Sequence, residues 1–275
     1  MSASSAATVK PAIKDVQGGP DARATPINRV GIRALRLPMM FMEGAAPTPA
    51  SGEWSCYTDL PAHTRGTHMS RLVRVLHDAG TNLDFAAFCR LPRAVLEHLP
   101  SAGECLAAVK FRAFANKRAP ISGERGYVDF AAAFYARQRG SELRRLISAT
   151  VPVTSLCPCS KTISKYGAHN QRSHVQCIAE TSDDMRLLDL MAVIEEASSC
   201  ELYSVLKRPD ERHVTERAYD NPKFVEDIVR DLAVAIGRLP GVPHYRVSAE
   251  NFESIHNHSA FALIETPGFP ADLLV

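Results

Sequence analysis

The sequence predicts an α+β protein in which strands, helices and further strands follow one another twice along the chain. Runs rich in β-branched and aromatic residues, bounded by glycine and proline, indicate the strands. Apolar residues at helical spacing indicate the helices, and the same order recurs in each half. We therefore expect a flexible N-terminal arm over residues 1–28 and a folded unit over residues 29–275, whose tandem halves cover 29–145 and 146–275.

In the first half, these patterns predict four strands and one helix. The helix covers "LDFAAFCRLPRAVLEHL", and Pro92 is expected to kink or break it. The segment "HTRGTHMSRLVRVL" is interpreted as a strand with a polar lead-in, and the Ala-rich fourth strand leaves a helix open as an alternative. The predicted strands cover residues 30–41, 63–76, 105–120 and 125–140.

In the second half, the patterns predict two helices among four strands. We expect Ser182 and Asp183 to cap the first helix. Asn221 is expected to cap the second helix, with Pro222 in its first turn. The predicted helices cover residues 182–199 and 221–240, and the predicted strands cover residues 143–158, 172–181, 244–258 and 259–266.

Composition and charge argue against several classes of protein. The chain is 45% hydrophobic and 23% charged, as in an ordinary soluble globular protein. Its net charge of +2 and its scattered basic residues predict no nucleic-acid partner, and no run approaches the roughly 20 apolar residues of a membrane span. Seven cysteines at irregular spacings, without a secretion signal, favour the reducing cytoplasm over a disulfide framework.

The segment "LCPCSKTISKYGAHNQRS" holds residue types that can carry chemistry. Thiolate and imidazole are ligands that zinc and related divalent metals prefer, and one loop can present Cys157, Cys159 and His169 to a single ion. A Cys-Pro-Cys step does not easily place both sulfurs on one metal, so we expect one thiolate ligand and one exchangeable or reactive thiol. The spacing alone leaves open a metal site, a thiol nucleophile and a polar loop without chemistry.

A second group of candidates lies in "ENFESIHNHSAF". His256 and His258 share a side if the strand is regular, whereas Glu253 needs a bulge or turn to act with them. Two imidazoles beside a carboxylate suit proton transfer or metal binding. The alternative is that all three are ordinary polar residues at the end of a strand.

Three weaker candidate sites complete the set. Asp210 and Glu211 lie in a predicted turn among basic residues, where a solvated charge cluster is the default interpretation. Glu226 lies near the start of a predicted helix, where most glutamates face water, although a carboxylate on a pocket wall can accept two N–H groups from a guanine or pterin edge. The segment "RGTHMSRL" forms either a polar lead-in to a strand or a phosphate site using Arg65, His68 and Arg71.

With these residues in view, the chain resembles the prokaryotic type IB GTP cyclohydrolases. The resemblance rests on "RGTHMSRL", "SLCPCSKTISKYGAHNQRSHV", "LKRPDERHVTERAYDNPKFVEDIVRD" and "ENFESIHNH", which occur in the family's order over most of residues 30–265. The central motif is long and unusual, which makes the resemblance specific. Only the N-terminal arm lies outside it.

The resemblance implies a tunnelling fold, with tandem units of antiparallel sheet and two helices each, assembled into barrels in a homo-oligomer that is typically a homotetramer. It implies conversion of GTP and water into 7,8-dihydroneopterin triphosphate and formate, the first step of tetrahydrofolate biosynthesis. It also implies one divalent metal per site as the cofactor, either Zn²⁺, Mn²⁺ or Fe²⁺.

The resemblance assigns roles around this metal. It implies that Cys157, His169 and Glu211 are metal ligands and that Cys159 is a thiol close to the metal. It places Glu253 and His256 at the reaction centre.

The resemblance also implies how the substrate is held. Glu226 would anchor the guanine edge, and either His256 or His258 is expected to protonate a ring nitrogen of guanine. A tetra-anionic triphosphate needs several cations, so we expect Lys161, Arg172 and either Arg65 or Arg71 to hold it, with His68 nearby.

Two other functions remain open at this stage. An NADPH-dependent nitrile reductase of deazaguanine metabolism shares a tunnelling fold and a site with Cys and Glu/His, but the segment "GAHNQRS" speaks against it. A non-catalytic zinc-binding module would use Cys157, Cys159 and His169 in a closed site, which leaves Glu226 and Glu253 without roles.

Overall fold

The computed structural model describes residues 17–44, 46–182 and 185–275, in which nine strands form a single antiparallel sheet. The strands are β1 Ile27–Phe41, β2 Thr48–Leu60, β3 Glu104–Arg118, β4 Arg125–Arg139, β5 Glu142–Leu156, β6 Asn170–Glu180, β7 Cys200–Glu201, β8 Tyr245–Asn251 and β9 Ala260–Glu265. Their order in the sheet is β1-β2-β3-β4-β5-β6-β8-β9, and the two-residue β7 pairs with β5. Neighbours in sequence are therefore mostly neighbours in the sheet, as in a series of hairpins.

Helices connect the strands at two places in this series. They are α1 Met69–Ala79, α2 Phe85–His98, α3 Pro158–Ile163, α4 Leu187–Glu196, α5 Arg208–Asp220 and α6 Val225–Ile236. Two of them, α1 and α2, separate β2 from β3, and the other four lie between β5 and β8. Among the described residues, no helix is both long and apolar enough to cross a membrane. The α+β prediction is confirmed.

The two faces of the sheet are covered differently. One face packs against apolar stripes of α1, α2, α4 and α6 in one continuous core, to which Leu76 and Ile228 belong. The opposite face is covered in part by the C-terminal segment, where Phe269 and Leu273 pack against a smaller cluster that includes Leu146. Side chains that alternate along the central strands β3–β6 therefore enter either the helix-covered core or this second layer.

The interpretation of residues 63–76 as a strand is wrong, because most of this segment forms α1. Leu72 and Leu76 lie four residues apart and are buried together, which is the period of a helix. The second strand is instead β2, whose start contains Pro49 and Gly52, two residues disfavoured in strands. Gly52 is needed there, since a Cβ would come within 2.7 Å of the Met39 sulfur.

Two predicted helix starts are also wrong. Helix α4 begins at Leu187, after Ser182, and Asp183 lies outside the described residues. Helix α6 begins at Val225, where the Asp227 carboxylate accepts a hydrogen bond from the backbone N–H of Phe224 at 2.9 Å. The start of α6 is therefore set by Asp227 and not by the Asn221-Pro222 pair four residues before Val225.

Asn221, the predicted cap of α6, instead follows the last residue of α5. Its side-chain amide donates to the carbonyl of Ser198 at 2.9 Å. The predicted turn at Asp210 and Glu211 is the first turn of this same helix. Of the two effects expected from Pro92, a kink or a break, the break does not occur, because α2 continues from Phe85 to His98. The strand predicted over residues 244–258 ends at Asn251, and the other predicted strands are confirmed.

The cap of α4 comes from a distant part of the chain. The Glu43 carboxylate, just after β1, accepts hydrogen bonds from the backbone N–H groups of Leu187 at 2.9 Å and Leu188 at 3.1 Å. Burial raises the pKa of Glu43, and these two hydrogen bonds oppose that rise. A carboxylate at a helix N-terminus satisfies N–H groups that have no partner within the helix.

Residues 17–26, the described part of the predicted arm, precede β1. The Gln17 carbonyl accepts from the N–H of Gly66 at 3.0 Å, and the Gly19 carbonyl accepts from the N–H of Arg65 at 3.1 Å. Pro20 forms an isolated bridge with Thr64. This segment therefore lies against the loop that leads into α1.

Candidate active site

The end of β5 places Cys157 at the start of a short helix. Pro158 occupies the first turn of α3, and Cys157 is the capping residue before it, with an extended backbone. The N–H of Cys157 donates to the carbonyl of His169 at 3.1 Å, so the two predicted ligands are joined through the backbone. Cys157 is half-buried and Cys159 is exposed, and neither forms a disulfide.

Ser160 fixes the relative position of these two residues. Its hydroxyl donates to the carbonyl of Cys157 at 3.1 Å and accepts from the N–H of His169 at 3.2 Å. The Nδ1 atom of His169 lies 2.9 Å from the side-chain oxygen of Gln171. The loop between Cys157 and His169 is thus closed by three hydrogen bonds, and the imidazole ring has an oriented partner.

The loop after β8 brings a carboxylate and two more imidazoles to this place. The N–H of His256 donates to the carbonyl of Glu253 at 3.3 Å. This hydrogen bond closes a turn of the kind that Glu253 was expected to need in order to act with the histidines. The Oε2 atom of Glu253 lies 3.9 Å from Nδ1 of His169 and 3.8 Å from Nδ1 of His256. The rings of His256 and His258 stack at 5.1 Å, in a loop rather than in the expected strand.

Four predicted site residues therefore form one cluster. Cys157 and His169 come from the connection between β5 and β6, Glu253 and His256 come from the loop after β8, and Glu253 lies between two imidazoles. Its side chain is 16% exposed and that of His169 is 11% exposed, while that of His256 is 48% exposed. The cluster thus runs from a buried wall to solvent, as a site that admits a ligand must.

Glu211 and Glu226 lie on α5 and α6 and are not members of this cluster. Both side chains are exposed, Glu211 in the first turn of α5 and Glu226 in the first turn of α6. The junction of these helices meets the site where the N–H of Lys223 donates to the carbonyl of Leu156 at 3.0 Å. Across residues 17–44, 46–182 and 185–275, no three His, Cys, Asp or Glu side chains lie together in an arrangement that would hold a metal ion.

Asp210 lies next to Glu211 in the first turn of α5 and is held in place by several hydrogen bonds. Asp210 is fully buried and accepts from the N–H groups of Ile121 and Ser122 at 2.8 Å each and from that of Lys207 at 2.9 Å. Burial opposes its ionisation, but these hydrogen bonds and one from the Ser122 hydroxyl outweigh burial and hold the pKa of Asp210 well below its usual range. Asp210 thereby clamps the turn after β3 to the start of α5.

The predicted phosphate-binding cations differ in their surroundings. Lys161 donates to the carbonyl of Tyr219 and lies 4.3 Å from the centre of its ring, while Arg71 donates to the carbonyl of His98 at 3.2 Å. Arg172 and Arg65 are exposed, and His68 precedes the first turn of α1. Of these five residues, Arg172 belongs to the strand that also carries Gln171, and its carbonyl accepts from the N–H of Phe252 at 3.0 Å.

The remaining cysteines lie in the core. Burial raises the pKa of the Cys177 thiol, and burial also raises the pKa of Cys200 to about 11. A hydrogen bond with Cys56, whose sulfur is 3.7 Å away, and burial together raise the pKa of Cys105. Thiols with raised pKa values are poor nucleophiles at neutral pH. Cys157 and Cys159, which are not buried, are therefore the candidates for thiol chemistry.

Sequence reasoning missed one set of residues around this site. Gln171, Ser155, Ser173 and Asn251 are buried and joined to one another by hydrogen bonds. The available signal was the alternation in "NQRSHV", where Gln171 and Ser173 occupy the inward positions that apolar residues usually take in a strand.

Comparison with known proteins identifies the family of this chain. A family model described as type I GTP cyclohydrolase folE2 matches residues 13–262. GTP cyclohydrolase FolE2 of Bordetella pertussis is 49% identical over 261 residues, which cover 94% of this chain and 98% of that protein. GTP cyclohydrolase FolE2 of Herminiimonas arsenicoxydans is 49% identical over 255 residues, which cover 92% and 97% of the two chains.

A solved structure supports the fold separately. Uricase from Arthrobacter globiformis superposes with a TM-score of 0.51 at 12% identity, covering 88% of this chain and 94% of that chain. This likeness concerns the fold alone, and with the antiparallel sheet and its helices it bears out the predicted tunnelling fold. The sequence matches extend over nearly the whole chain and decide its relationship: the chain belongs to the family of type I GTP cyclohydrolases described as folE2.

Proposed function

We propose that the chain is a metal-dependent GTP cyclohydrolase that converts GTP and water into 7,8-dihydroneopterin triphosphate and formate, the first step of tetrahydrofolate biosynthesis. The observation that carries this proposal is the position of Glu253 between His169 and His256, at 3.9 and 3.8 Å, beside the half-buried Cys157. This group offers a thiol, an imidazole and an acid–base pair at one place, and the relatives, which match over nearly their whole length, bear the name of this activity.

The donor chemistry fits one divalent metal per site, either Zn²⁺, Mn²⁺ or Fe²⁺. Cys157 and His169 would supply sulfur and nitrogen, and Glu211 would supply oxygen from the exposed first turn of α5 when the metal binds. When bound with an open coordination position, such a metal lowers the pKa of water from about 16 to about 7, which supplies hydroxide at neutral pH.

The acid–base residues act on the imidazole ring of guanine. The carbon between the two ring nitrogens is a poor electrophile, so a proton must reach a ring nitrogen as water attacks. His256, which is half-exposed and lies against Glu253 and His258, would hold and deliver that proton. Ring opening gives a formamide, a second hydration releases formate, and ring closure to the pterin returns one water.

Recognition of the substrate would use polar and charged groups outside this cluster. The Glu226 carboxylate would accept two N–H groups from the guanine edge. Arg172 and Lys161, from the strand and helix that flank the loop of His169, would hold the triphosphate, with Arg65, Arg71 and His68 as further candidates. The exposed Cys159 would be the mobile thiol of the site.

We also propose that the protein acts as a homotetramer in the cytoplasm. Within the described residues, β1 and β9 are the two edges of the sheet, and β9 exposes Phe261 at 63% and Leu263 at 49%. Unpaired edges and exposed apolar side chains are features that assembly with further copies would cover. Light scattering should give about four times the 30.1 kDa mass of one chain.

One assay tests the function. Protein reconstituted with Zn²⁺, Mn²⁺ or Fe²⁺ is incubated with GTP, and the oxidised product is measured by neopterin fluorescence. We expect product from the reconstituted protein, and little from chelator-treated protein or from the Cys157→Ala variant. Addition of NADPH should leave the rate unchanged, which separates this activity from that of a reductase. A folded, metal-loaded protein that yields no neopterin would overturn the proposal.

A further inference from the structure

Four buried polar side chains lie beneath the candidate site. Ser155 and Ser173 are 0% exposed, Asn251 is 2% exposed and Gln171 is 8% exposed. They belong to β5, β6 and β8, where Ser155 pairs with Gln171 and Ser173 pairs with Asn251 in the strand register. Burying polar groups costs free energy unless each finds a partner, so the arrangement of their partners is informative.

The four side chains form one continuous series of hydrogen bonds. The side-chain N–H of Gln171 donates to Ser155 Oγ at 2.8 Å, and the hydroxyl oxygens of Ser155 and Ser173 lie 2.8 Å apart. Ser173 Oγ lies 2.7 Å from Oδ1 of Asn251. At the other end, Oε1 of Gln171 lies 2.9 Å from Nδ1 of His169. We call this series, from His169 to Asn251, the buried relay.

The amide groups at its two ends give the buried relay one direction. Oδ1 of Asn251 can only accept, so the single hydroxyl hydrogen of Ser173 points to it and the Ser155 hydroxyl donates to Ser173. Gln171 turns its N–H group to Ser155, so its oxygen faces His169 and can only accept. The hydrogen in that last bond must therefore be on Nδ1 of His169.

This direction selects one of the two neutral forms of the His169 ring. A neutral imidazole carries one hydrogen, so a hydrogen on Nδ1 leaves the lone pair on Nε2. The Oε2 atom of Glu253, 3.9 Å from Nδ1, favours the same form because a carboxylate attracts the N–H group. In the reverse direction Nδ1 would accept, and Nε2 would carry the hydrogen and could not bind a metal.

We propose that Gln171 is a positioning residue, which fixes His169 through the buried relay in the form that presents Nε2 to the divalent metal. This inference rests on the proposed function, because it takes His169 to be a metal ligand. Asn251 also links the relay to the acid–base loop, since its carbonyl accepts from the N–H of Glu253 at 3.0 Å. The same series thus ties both walls of the site to the centre of the sheet.

Metal affinity tests the role of Gln171 through three variants. Gln171→Leu removes the acceptor for His169 and should weaken metal binding about 10–100-fold, as measured by chelator competition. Gln171→Glu keeps an oxygen facing Nδ1 and should restore most of the affinity. The matched control is Gln176→Leu on the same strand, which breaks a bond of the same kind to Thr150 at 3.0 Å and should leave metal affinity unchanged.

Thermal unfolding of the metal-free variants separates positioning from stability. A merely structural role predicts that Gln171→Leu and Gln176→Leu affect unfolding and metal affinity alike, and that Gln171→Glu does not rescue metal binding. Either a folded Gln171→Leu protein with the affinity of the wild type, or a Gln171→Glu protein as weak as Gln171→Leu, would overturn the inference.

The ring form can be measured directly without metal. Magic-angle-spinning ¹⁵N NMR of histidine-labelled, metal-free protein should show His169 with a hydrogen on Nδ1 and none on Nε2, with His169→Gln used for assignment. A hydrogen on Nε2 would contradict the inference. Failure of the wild-type protein to bind metal or form neopterin would instead count against the proposed function, whatever this spectrum shows.

Discussion

The regions before and after residue 140 build similar strand–helix–strand sequences from different kinds of side chain. The first region, with β1–β4, α1 and α2, has an aromatic core in which Phe134 packs against Phe41, Phe85, Phe88 and Phe111 at ring distances of 5.1 to 6.3 Å. The second region, with β5–β9 and α3–α6, fills its core with aliphatic residues and admits the buried relay.

The two regions fill their interiors for different purposes. Aromatic side chains bury large apolar areas and stabilise the fold without offering reactive groups. Buried Ser, Gln and Asn side chains contribute less apolar area but orient the groups around them. We therefore expect substitutions in the first region to act mainly on stability and substitutions in the second to act mainly on chemistry, and four predictions test this division in order of decreasing effect.

The largest effect is expected from Phe134→Ala. Because Phe134 is fully buried among four other rings, its removal leaves a cavity and should lower the free energy of unfolding by about 3–5 kcal/mol. Phe114→Ala is the control, since Phe114 lies on β3 three residues after Phe111 and is 42% exposed. Denaturant unfolding measures both, and kcat/KM per folded molecule should not change. A large loss of kcat in folded Phe134→Ala would contradict the division between stability in the first region and chemistry in the second.

Next in size is the effect of Glu253→Gln on turnover. Removing the charge between His169 and His256 should lower kcat roughly 100- to 1000-fold, because in the proposed mechanism His256 delivers a proton and would lose its carboxylate partner. The melting temperature should stay close to that of the wild type, since the loop of Glu253 lies at the surface of the fold. Glu265→Gln, which breaks an ion pair with Arg246 on β8, is the control, and it should keep kcat. Equal kcat values for both variants would contradict the role of Glu253.

Asp210→Asn should have an intermediate effect that depends on pH. The folded pKa of Asp210 is below its unfolded value of about 4, so its ionised form stabilises the fold above that value and this contribution is lost as pH falls towards the folded pKa. We expect the variant to melt about 5 °C lower than the wild type at neutral pH. This difference should shrink as the pH is lowered below about 4.

Asp129→Asn is the control for that experiment. Asp129 forms an exposed ion pair with Arg112 on the neighbouring strand at 2.7 Å, so its loss should change the melting temperature little at any pH. Scanning calorimetry over a pH series measures both variants. A melting difference for Asp210→Asn that is the same at every pH would show that ionisation of this carboxyl group is not its source.

The smallest effect is expected from Arg172→Ala. An exposed cation that holds one part of the triphosphate should raise KM for GTP about tenfold and leave kcat nearly unchanged. Arg36→Ala, which removes an exposed arginine paired with Glu53 on the far edge of the sheet, should leave both constants unchanged. An unchanged KM for Arg172→Ala would remove this residue from the phosphate site.

Much of the fold could be predicted because strong local patterns and tertiary packing agree in β3–β6. The failure at residues 63–76 has a physical cause: the β-branched Val73 and Val75 favour a strand locally, and only the burial of Leu72 with Leu76 shows the helical period. Strand β2 was missed because Pro49 and Gly52 oppose local strand propensity, and pairing with β1 and β3 outweighs that preference.

The candidate site divides in the same way. The four residues that the structure brings together could be named as candidates because Cys157, His169, Glu253 and His256 occur in unusual local motifs. The buried relay could not, since Ser155 and Asn251 are nearly a hundred residues apart in sequence and only strand register brings them to either side of Ser173. Residue types carry the chemistry of this site, whereas its orientation comes from long-range pairing.

The cap that Glu43 provides to α4 has a consequence for the order of folding. A carboxylate 144 residues before Leu187 reaches this helix only after a long loop has closed, so the first turn of α4 gains its cap late. Until then the N–H groups of Leu187 and Leu188 depend on water, and the helix has no side-chain cap of its own. Protection of these two amides from hydrogen exchange should therefore rise with the docking of the two regions, which makes them reporters of the final step of assembly within one chain.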